Sequence, residues 1–218
     1  MVKNLGLHNS LLNQFIAELR DANIQVDSLR FRRNMERVGE IFAYEISKEL
    51  EYVTKEVTTS LGISEVNILK SKPILATILR AGLPMHYGML NYFDTADNAF
   101  ISAYRKHSKD GTFKIKIEYI SSPDITDKIL ILSDPMLATG ASMVLAYQEI
   151  LNCGKPRHTY FTTVVACTQG IEYIRKHVSK HDASIWVGAI DEELTAQSYI
   201  VPGLGDAGDL AFGSKVQY

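Results

Sequence analysis

Short apolar runs recur along this chain at strand length, and stretches with helical spacing separate them. Pro73 to Leu79, Lys128 to Ser133, Tyr160 to Cys167 and Ser184 to Ile190 read as buried strands. Helices are expected through Met89 and Leu90, from Ala141 to Leu151, and near Ile171 to His177. Gly154 and Pro156 close the second of these. Buried strands alternating with helices mean an α/β fold, a central parallel sheet flanked by helices. At 218 residues the chain can bury one good core, so one domain over 1–218 is expected.

Two regions stand apart from that alternation. The N-terminal part is helical: Leu11, Leu12, Phe15, Ile16 and Leu19 repeat with helical spacing. A second helix runs from about Ser28 into the fifties, with Met35, Val38, Ile41, Phe42 and Ile46 on one face, and Thr54 to Ser60 leaves it. The other region follows a short strand, Ala99 to Tyr104, that ends at Arg105. There Phe113, Ile115, Ile117 and Tyr119 alternate with Lys114, Lys116 and Glu118 after the turn signal Lys109-Asp110-Gly111-Thr112. That pattern suggests a two-stranded flap from about Arg105 to Ser122, separate from the buried sheet. It can close over a site or make dimer contacts.

Composition narrows the function classes. Apolar residues make up 46% of the chain and charged residues 22%, as in ordinary soluble globular proteins. A net charge of −2 gives no basic footprint for nucleic acid. No apolar run approaches a membrane span, and the first residues hold no signal-peptide core. Cys153 and Cys167 make no disulfide framework. A cytoplasmic setting is expected. His177 and His181 lack the glutamate of a zinc motif and read as a solvated helix end, while Trp186 reads as core.

The chemistry concentrates in one segment. The strand Ile129 to Ser133 runs into Asp134, then Pro135, Met136, Leu137 and Ala138, then Thr139, Gly140, Ala141 and Ser142 at a helix start. The first N–H groups of a helix lack partners within it, and its dipole favours an anion there. Thr139 and Ser142 add hydroxyls. Asp134 stands at the carboxyl end of a strand, where ligands sit in parallel sheets. The segment therefore asks for a ligand with a phosphate at one end and hydroxyls or a metal at the other.

Asp134-Pro-Met-Leu-Ala-Thr-Gly-x-Ser142 resembles the phosphoribosyl diphosphate signature of the uracil phosphoribosyltransferases, within the type I phosphoribosyltransferase family. Ile78-Leu-Arg80-Ala-Gly-Leu83 resembles the family's pyrophosphate loop, and Ala103-Tyr-Arg105 its second arginine segment. Tyr199 to Asp209, with Phe212-Gly213, resembles its uracil loop, and weaker similarity covers Phe31 to Leu50. These segments stand in the family's order and span most of the chain. The resemblance implies the type I fold with a C-terminal base-binding hood, and transfer of phosphoribosyl from phosphoribosyl diphosphate (PRPP) to uracil, giving UMP. Mg²⁺ is implied as cofactor, carried by the diphosphate with no direct protein ligand, and a homodimer or higher homo-oligomer as assembly. Some family members are activated by GTP, and no site for it is assigned here.

The implied roles make chemical sense. Residues Asp134 to Ser142 hold PRPP: the helix start takes the 5′-phosphate, and Asp134 accepts hydrogen bonds from both ribose hydroxyls. Arg80 and Arg105 suit the diphosphate, because guanidinium groups pair with phosphate oxygens and stay charged as the leaving group gains charge. For a random Arg a solvated surface pair is commoner. Arg80 is expected to escape that reading because it directly follows a buried strand. Uracil presents acceptor, donor and acceptor along one edge. By resemblance, the backbone at Ile200, Gly205, Asp206 and Ala207 supplies the complement, with Asp206 facing the donor. Ala141 stands where a second glycine is common and is harmless if it opens the helix. Pro84 and His86 also replace commoner residues, away from the expected ligand contacts. The competing reading is a non-catalytic sensor of PRPP or UMP on the same fold.

Overall fold

The computed structural model describes residues 1–107 and 113–215, with the backbone alone for 104–107 and 113–116. A short strand, β1 (Val2–Asn4), precedes helices α1 (Leu11–Arg20) and α2 (Ser28–Ser47). Ser10 and Asn13 form a reciprocal cap that starts α1, and the Asp27 carboxylate accepts from the Arg30 N–H to start α2. α2 thus stops at Ser47, short of the expected fifties. Strands β2 (Tyr52–Thr58) and β3 (Ile63–Leu69) follow as an exposed antiparallel hairpin. Its Val and Thr residues suit a pleated ribbon better than a helix, where branching at Cβ costs rotamer freedom.

The strands and helices of the sheet then alternate: β4 (Ile74–Leu79), α3 (Leu83–Leu90), β5 (Asp97–His107), β6 (Phe113–Ser121), β7 (Ile129–Ser133) and β8 (Met136–Leu137). They continue as α4 (Ala141–Ile150), β9 (His158–Cys167), α5 (Thr168–His177) and β10 (Ala183–Asp191). A small pair, β11 (Glu193–Leu194) and β12 (Ile200–Val201), and a last helix, α6 (Ala207–Phe212), complete the order. The main sheet runs β1-β10-β9-β7-β4-β5-β6, with β8 also on β9. Its pairs are parallel except β5–β6.

Strand alternation divides the core in two. Leu75 and Ile131 face α1, α2 and α3, packing with Leu19, Phe42, Met85 and Met89. Ile74, Ala76, Ile78, Leu130 and Leu132 face α4 and α5, packing with Met143, Val144, Ile171 and Ile174. The helix after β4 therefore covers one face and the helix after β7 the other. Between these neighbouring strands lies a topological switch point, where the carboxyl ends of an α/β sheet open a crevice. Asp134 and Arg80 follow those two strands.

The flap differs from expectation. β6 is the edge strand of the main sheet, with Ile101 opposite Ile120 at its base and His107 opposite Phe113 at its far end. The register slips at Ser102/Ala103, where Tyr119 and Ile117 face consecutive residues of β5. That bulge carries one extra residue and breaks the two-residue alternation. Ile117 and Ile120 consequently pack on the core while Tyr119 is exposed. The turn Lys109 to Thr112 lies outside the described residues.

Candidate active site

The segment after β7 is pinned to β9 along its length. The Asp134 N–H donates to Thr162 O at 3.1 Å, and Pro135 O accepts from Val164 N and Val165 N at 3.1 and 3.0 Å. Met136 and Leu137 then pair with Val165 and Ala166. Asp134 is half-buried, and its Oδ1 accepts from the Met136 N–H at 3.3 Å. The chain turns into α4 at Gly140, whose φ of 83° lies in the left-handed region that favours glycine. A Cβ there would also stand 2.8 Å from Gly170 O. Gly170 in turn abuts Ala138 O, where a Cβ would come within 2.5 Å. α5 thus presses the segment from Leu137 to Gly140 into place from behind, and Gly170 is a residue that the sequence reading missed.

α4 begins at Ala141, so that residue lies in the first helical turn, where a methyl is tolerated. No side chain caps α4; the Ala141 N–H reaches Thr139 Oγ1 only at 3.4 Å. Half-buried Ser142 sits in the same turn. The helix start therefore presents amide donors and hydroxyls together, an arrangement suited to a phosphate.

Across the switch point, β4 and β7 are tied by buried hydroxyls. Thr77 Oγ1 donates to Ser133 O at 3.3 Å, and Ser133 Oγ to Ala76 O at 3.1 Å. Gly82 nests against this pair; a Cβ would stand 2.1 Å from Thr77 Oγ1. That close approach turns the chain after Leu79 and projects Arg80. Arg80 is not sheltered as expected: its side chain is 42% exposed, and Nη2 donates to Asp209 Oδ1 at 3.0 Å and to Gly213 O at 3.2 Å. Arg80 stands two residues past Ile78, the last buried residue of β4, and that distance suffices to reach solvent, so the neighbouring strand gives no shelter.

That contact joins the loop to the C-terminal segment. Asp206 starts α6, its Oδ1 accepting from the Asp209 N–H at 3.0 Å and its Oδ2 from Lys215 Nζ at 3.1 Å. Burial raises the Asp206 pKa, but the Asp209 N–H and Lys215 outweigh it and hold the carboxyl below its usual value. A Cβ at Gly208 would come within 3.9 Å of Ala81 Cβ and of Arg80 Nη2. Ile200, Leu204, Ala207 and Ala211 are buried in the core that α1 and α2 line. Arg32 of α2 also donates to Ala211 O at 2.7 Å. Gly203 and Gly205 adopt positive φ of 58° and 87°, which bends 200–207 into a hood beside residues 80–82. Arg105 lies in β5, three residues beyond Ser102, the partner of Leu79. Its backbone is thus about 10 Å further out along the strand direction, and its side chain lies outside the described residues.

The structure thus brings Arg80 to Asp209, on the helix that Asp206 caps and Ala207 begins, and places Asp134 to Ser142 after the adjacent strand. Arg20 and Asp191, which the sequence reading passed over, also grip the hood: they pair at 2.8 Å, and both bind Gly203. The signal available for Asp191 was its place at the carboxyl end of an apolar strand. His177 is exposed and hydrogen bonds through Nδ1 with Tyr173 O, as a helix-end residue. Trp186 is core.

A sequence model of the uracil phosphoribosyltransferase family matches residues 7–214. A curated uracil phosphoribosyltransferase of Porphyromonas gingivalis is 57% identical over 215 residues, covering 99% of each chain. One from Pyrococcus furiosus is 36% identical over 207 residues, covering 94% of this chain and 87% of its own. A solved protein structure from Aquifex aeolicus superimposes with a TM-score of 0.86 at 30% identity, covering 100% of both chains. With the motifs in order along a sheet whose switch point faces the hood, the chain belongs to the uracil phosphoribosyltransferase family.

Proposed function

We propose that this chain transfers the 5-phosphoribosyl group of PRPP to N1 of uracil, giving UMP and diphosphate in pyrimidine salvage. The observation that carries the reading is the meeting of the 80–82 loop with the hood, through Arg80 and Asp209, at the switch point where Asp134 and α4 begin. A donor with phosphates at both ends and a planar base belong on opposite sides of such a crevice.

The 5′-phosphate sits at the start of α4, held by amides of 139–142 and the hydroxyls of Thr139 and Ser142. Asp134 accepts from the ribose 2′- and 3′-hydroxyls. As the motif's single carboxylate, it holds the sugar rather than removing a proton. Arg80 exchanges Asp209 for the diphosphate; a half-exposed ion pair is worth no more than about 1 kcal/mol, so the exchange is inexpensive. Arg105 closes on the same group from β5. The backbone of Ile200, Gly205, Asp206 and Ala207 reads uracil. Displacement at C1′ is dissociative with inversion: the C1′–O bond to diphosphate breaks, positive charge builds on the ribose, uracil N1 bonds from the opposite face, and the N1 proton passes to the departing diphosphate or to water. The side chains position and stabilise charge.

Among the described residues, no group of three His, Cys, Asp or Glu could hold a metal. Mg²⁺ binds through phosphates, waters and at most one or two carboxylates, so an ion carried by the diphosphate fits this donor set, with Asp206 toward its water shell. When bound it neutralises diphosphate charge. The exposed apolar residues of β2 and β3, among them Val53, Val57, Ile63 and Ile68, favour a homodimer. We read 1–218 as one phosphoribosyltransferase unit working in the cytoplasm.

A base-competition assay tests the specificity. With PRPP and Mg²⁺, uracil should be consumed while cytosine, orotate and hypoxanthine neither react nor compete at similar concentration. Cytosine reverses the pattern at two of three edge positions and leaves buried polar groups unpaired. Equal use of cytosine would refute the backbone-readout assignment.

A further inference from the structure

Asp191 ends β10 and is 8% exposed, and its carboxylate takes hydrogen bonds from two distant parts of the chain. Arg20, the last residue of α1, donates from Nη1 to Oδ2 at 2.8 Å and from Nη2 to Oδ1 at 3.0 Å. The Gly203 N–H donates to Oδ2 at 2.9 Å, and Gly203 O accepts from Arg20 Nη1 at 3.1 Å. Both polar groups of one hood residue are therefore held by a single ion pair. Gly203 has no other fit: its φ is 58°, and a Cβ would stand 2.2 Å from Ile200 O.

Burying such a pair is costly, and well-packed apolar residues often stabilise a fold as well or better. What apolar residues cannot do is hold an N–H and a C=O in fixed directions. Gly203 lies between Ile200 and the Gly205–Ala207 run, the two parts of the backbone that read the base. A rotation at Gly203 would misdirect the groups on both sides of it.

We propose that Asp191, through Arg20 and Gly203, is a positioning residue for uracil: the ion pair sets the orientation of the 200–207 backbone against which the base edge is read. The proposal rests on the uracil reading above. It separates from a purely stabilising role because the hood backbone reads the uracil edge, while the PRPP contacts at Asp134 to Ser142 lie on another element. The grip acts on the hood and touches neither the start of α4 nor Asp134.

The test is steady-state kinetics on Asp191→Asn and Arg20→Lys, each varying uracil and PRPP separately, with thermal unfolding alongside. Asp191→Asn keeps the shape and an acceptor but loses the charge. Arg20→Lys keeps the charge but loses the paired geometry and one of the two bonds. Losing charge-assisted bonds of this kind should raise the KM for uracil about tenfold, with the KM for PRPP changed less than about twofold. Arg20→Lys should show the same split to a smaller degree, which keeps the test decisive if Asp191→Asn does not fold. Equal rises in both KM values, or a lowered Tm with wild-type KM for uracil, would overturn the positioning role. A wild-type protein that makes no UMP would overturn the uracil reading itself, and with it this proposal.

Discussion

Replacing Gly140 by Ala should damage the proposed PRPP site more than its one methyl suggests. The residue has φ of 83°, and a Cβ would stand 2.8 Å from Gly170 O and 3.1 Å from Tyr173 Cβ. The left-handed backbone costs an L-residue about 1–2 kcal/mol. Crowding against a packed helix adds about 1–3 kcal/mol, because α5 or the loop must move. Together these give about 3 kcal/mol, or roughly 6–12 °C in Tm for a chain of this length. Because the strain falls on the residue that starts α4, the KM for PRPP should rise while that for uracil moves less. Differential scanning calorimetry at matched protein concentration and initial-rate kinetics read the two effects. Gly140→Asn separates the causes. Asn tolerates the left-handed region, so it should recover the backbone part and keep the crowding. Ala141→Gly is the control: position 141 is helical, and the variant should lose only about 0.5–1 kcal/mol. Wild-type Tm and KM for PRPP in Gly140→Ala would refute this account of the loop.

Other predictions follow from the same geometry. Asp134→Asn should cut turnover at least about tenfold through weakened ribose binding, with Tm nearly unchanged; wild-type turnover would remove the role given to Asp134. Arg105→Ala should raise the KM for PRPP more than that for uracil, and equal effects would show that Arg105 does not serve the diphosphate. His86 is fully buried with no hydrogen-bond partner for either ring nitrogen among the described residues. Burial pushes its pKa down from 6.5 to about 4; the nearby Asn98 side chain, which falls short of hydrogen-bond geometry, offsets part of the fall. Below pH 6.5 the unfolded chain therefore takes up a proton that the folded chain refuses, so stability drops as pH falls from 6.5 through about 4. The loss from this group amounts to about 3 kcal/mol. Urea titrations of His86→Leu should show a flatter dependence over that window, and an unchanged slope would contradict the assignment.

The repeating strands and helices were legible because a buried strand and an amphipathic helix each leave a periodic mark. The turn from Asp134 into α4 was legible because an apolar run followed by Pro135 and by Thr139-Gly140 ahead of a helical stretch leaves a local mark. The hairpin of β2 and β3 was missed because it is exposed on both faces, so burial imposes no alternation on it. The bulge at Ser102/Ala103 hid the merging of β6 with the sheet, since one extra residue inverts the pattern halfway along the strand. Arg80 shows the limit of neighbour-based inference: a buried strand says nothing of a side chain two residues after its last core contact. The pairing of Arg20 with Asp191 was illegible for a deeper reason. They are 171 residues apart, and nothing local to either announces that they meet at Gly203.

The most direct test is product formation by the purified protein. With uracil, PRPP and Mg²⁺, UMP and diphosphate should appear in equal amounts, and neither should form when uracil is omitted. Tight PRPP binding by calorimetry with no UMP would contradict the enzymatic account and leave a sensor on the same fold.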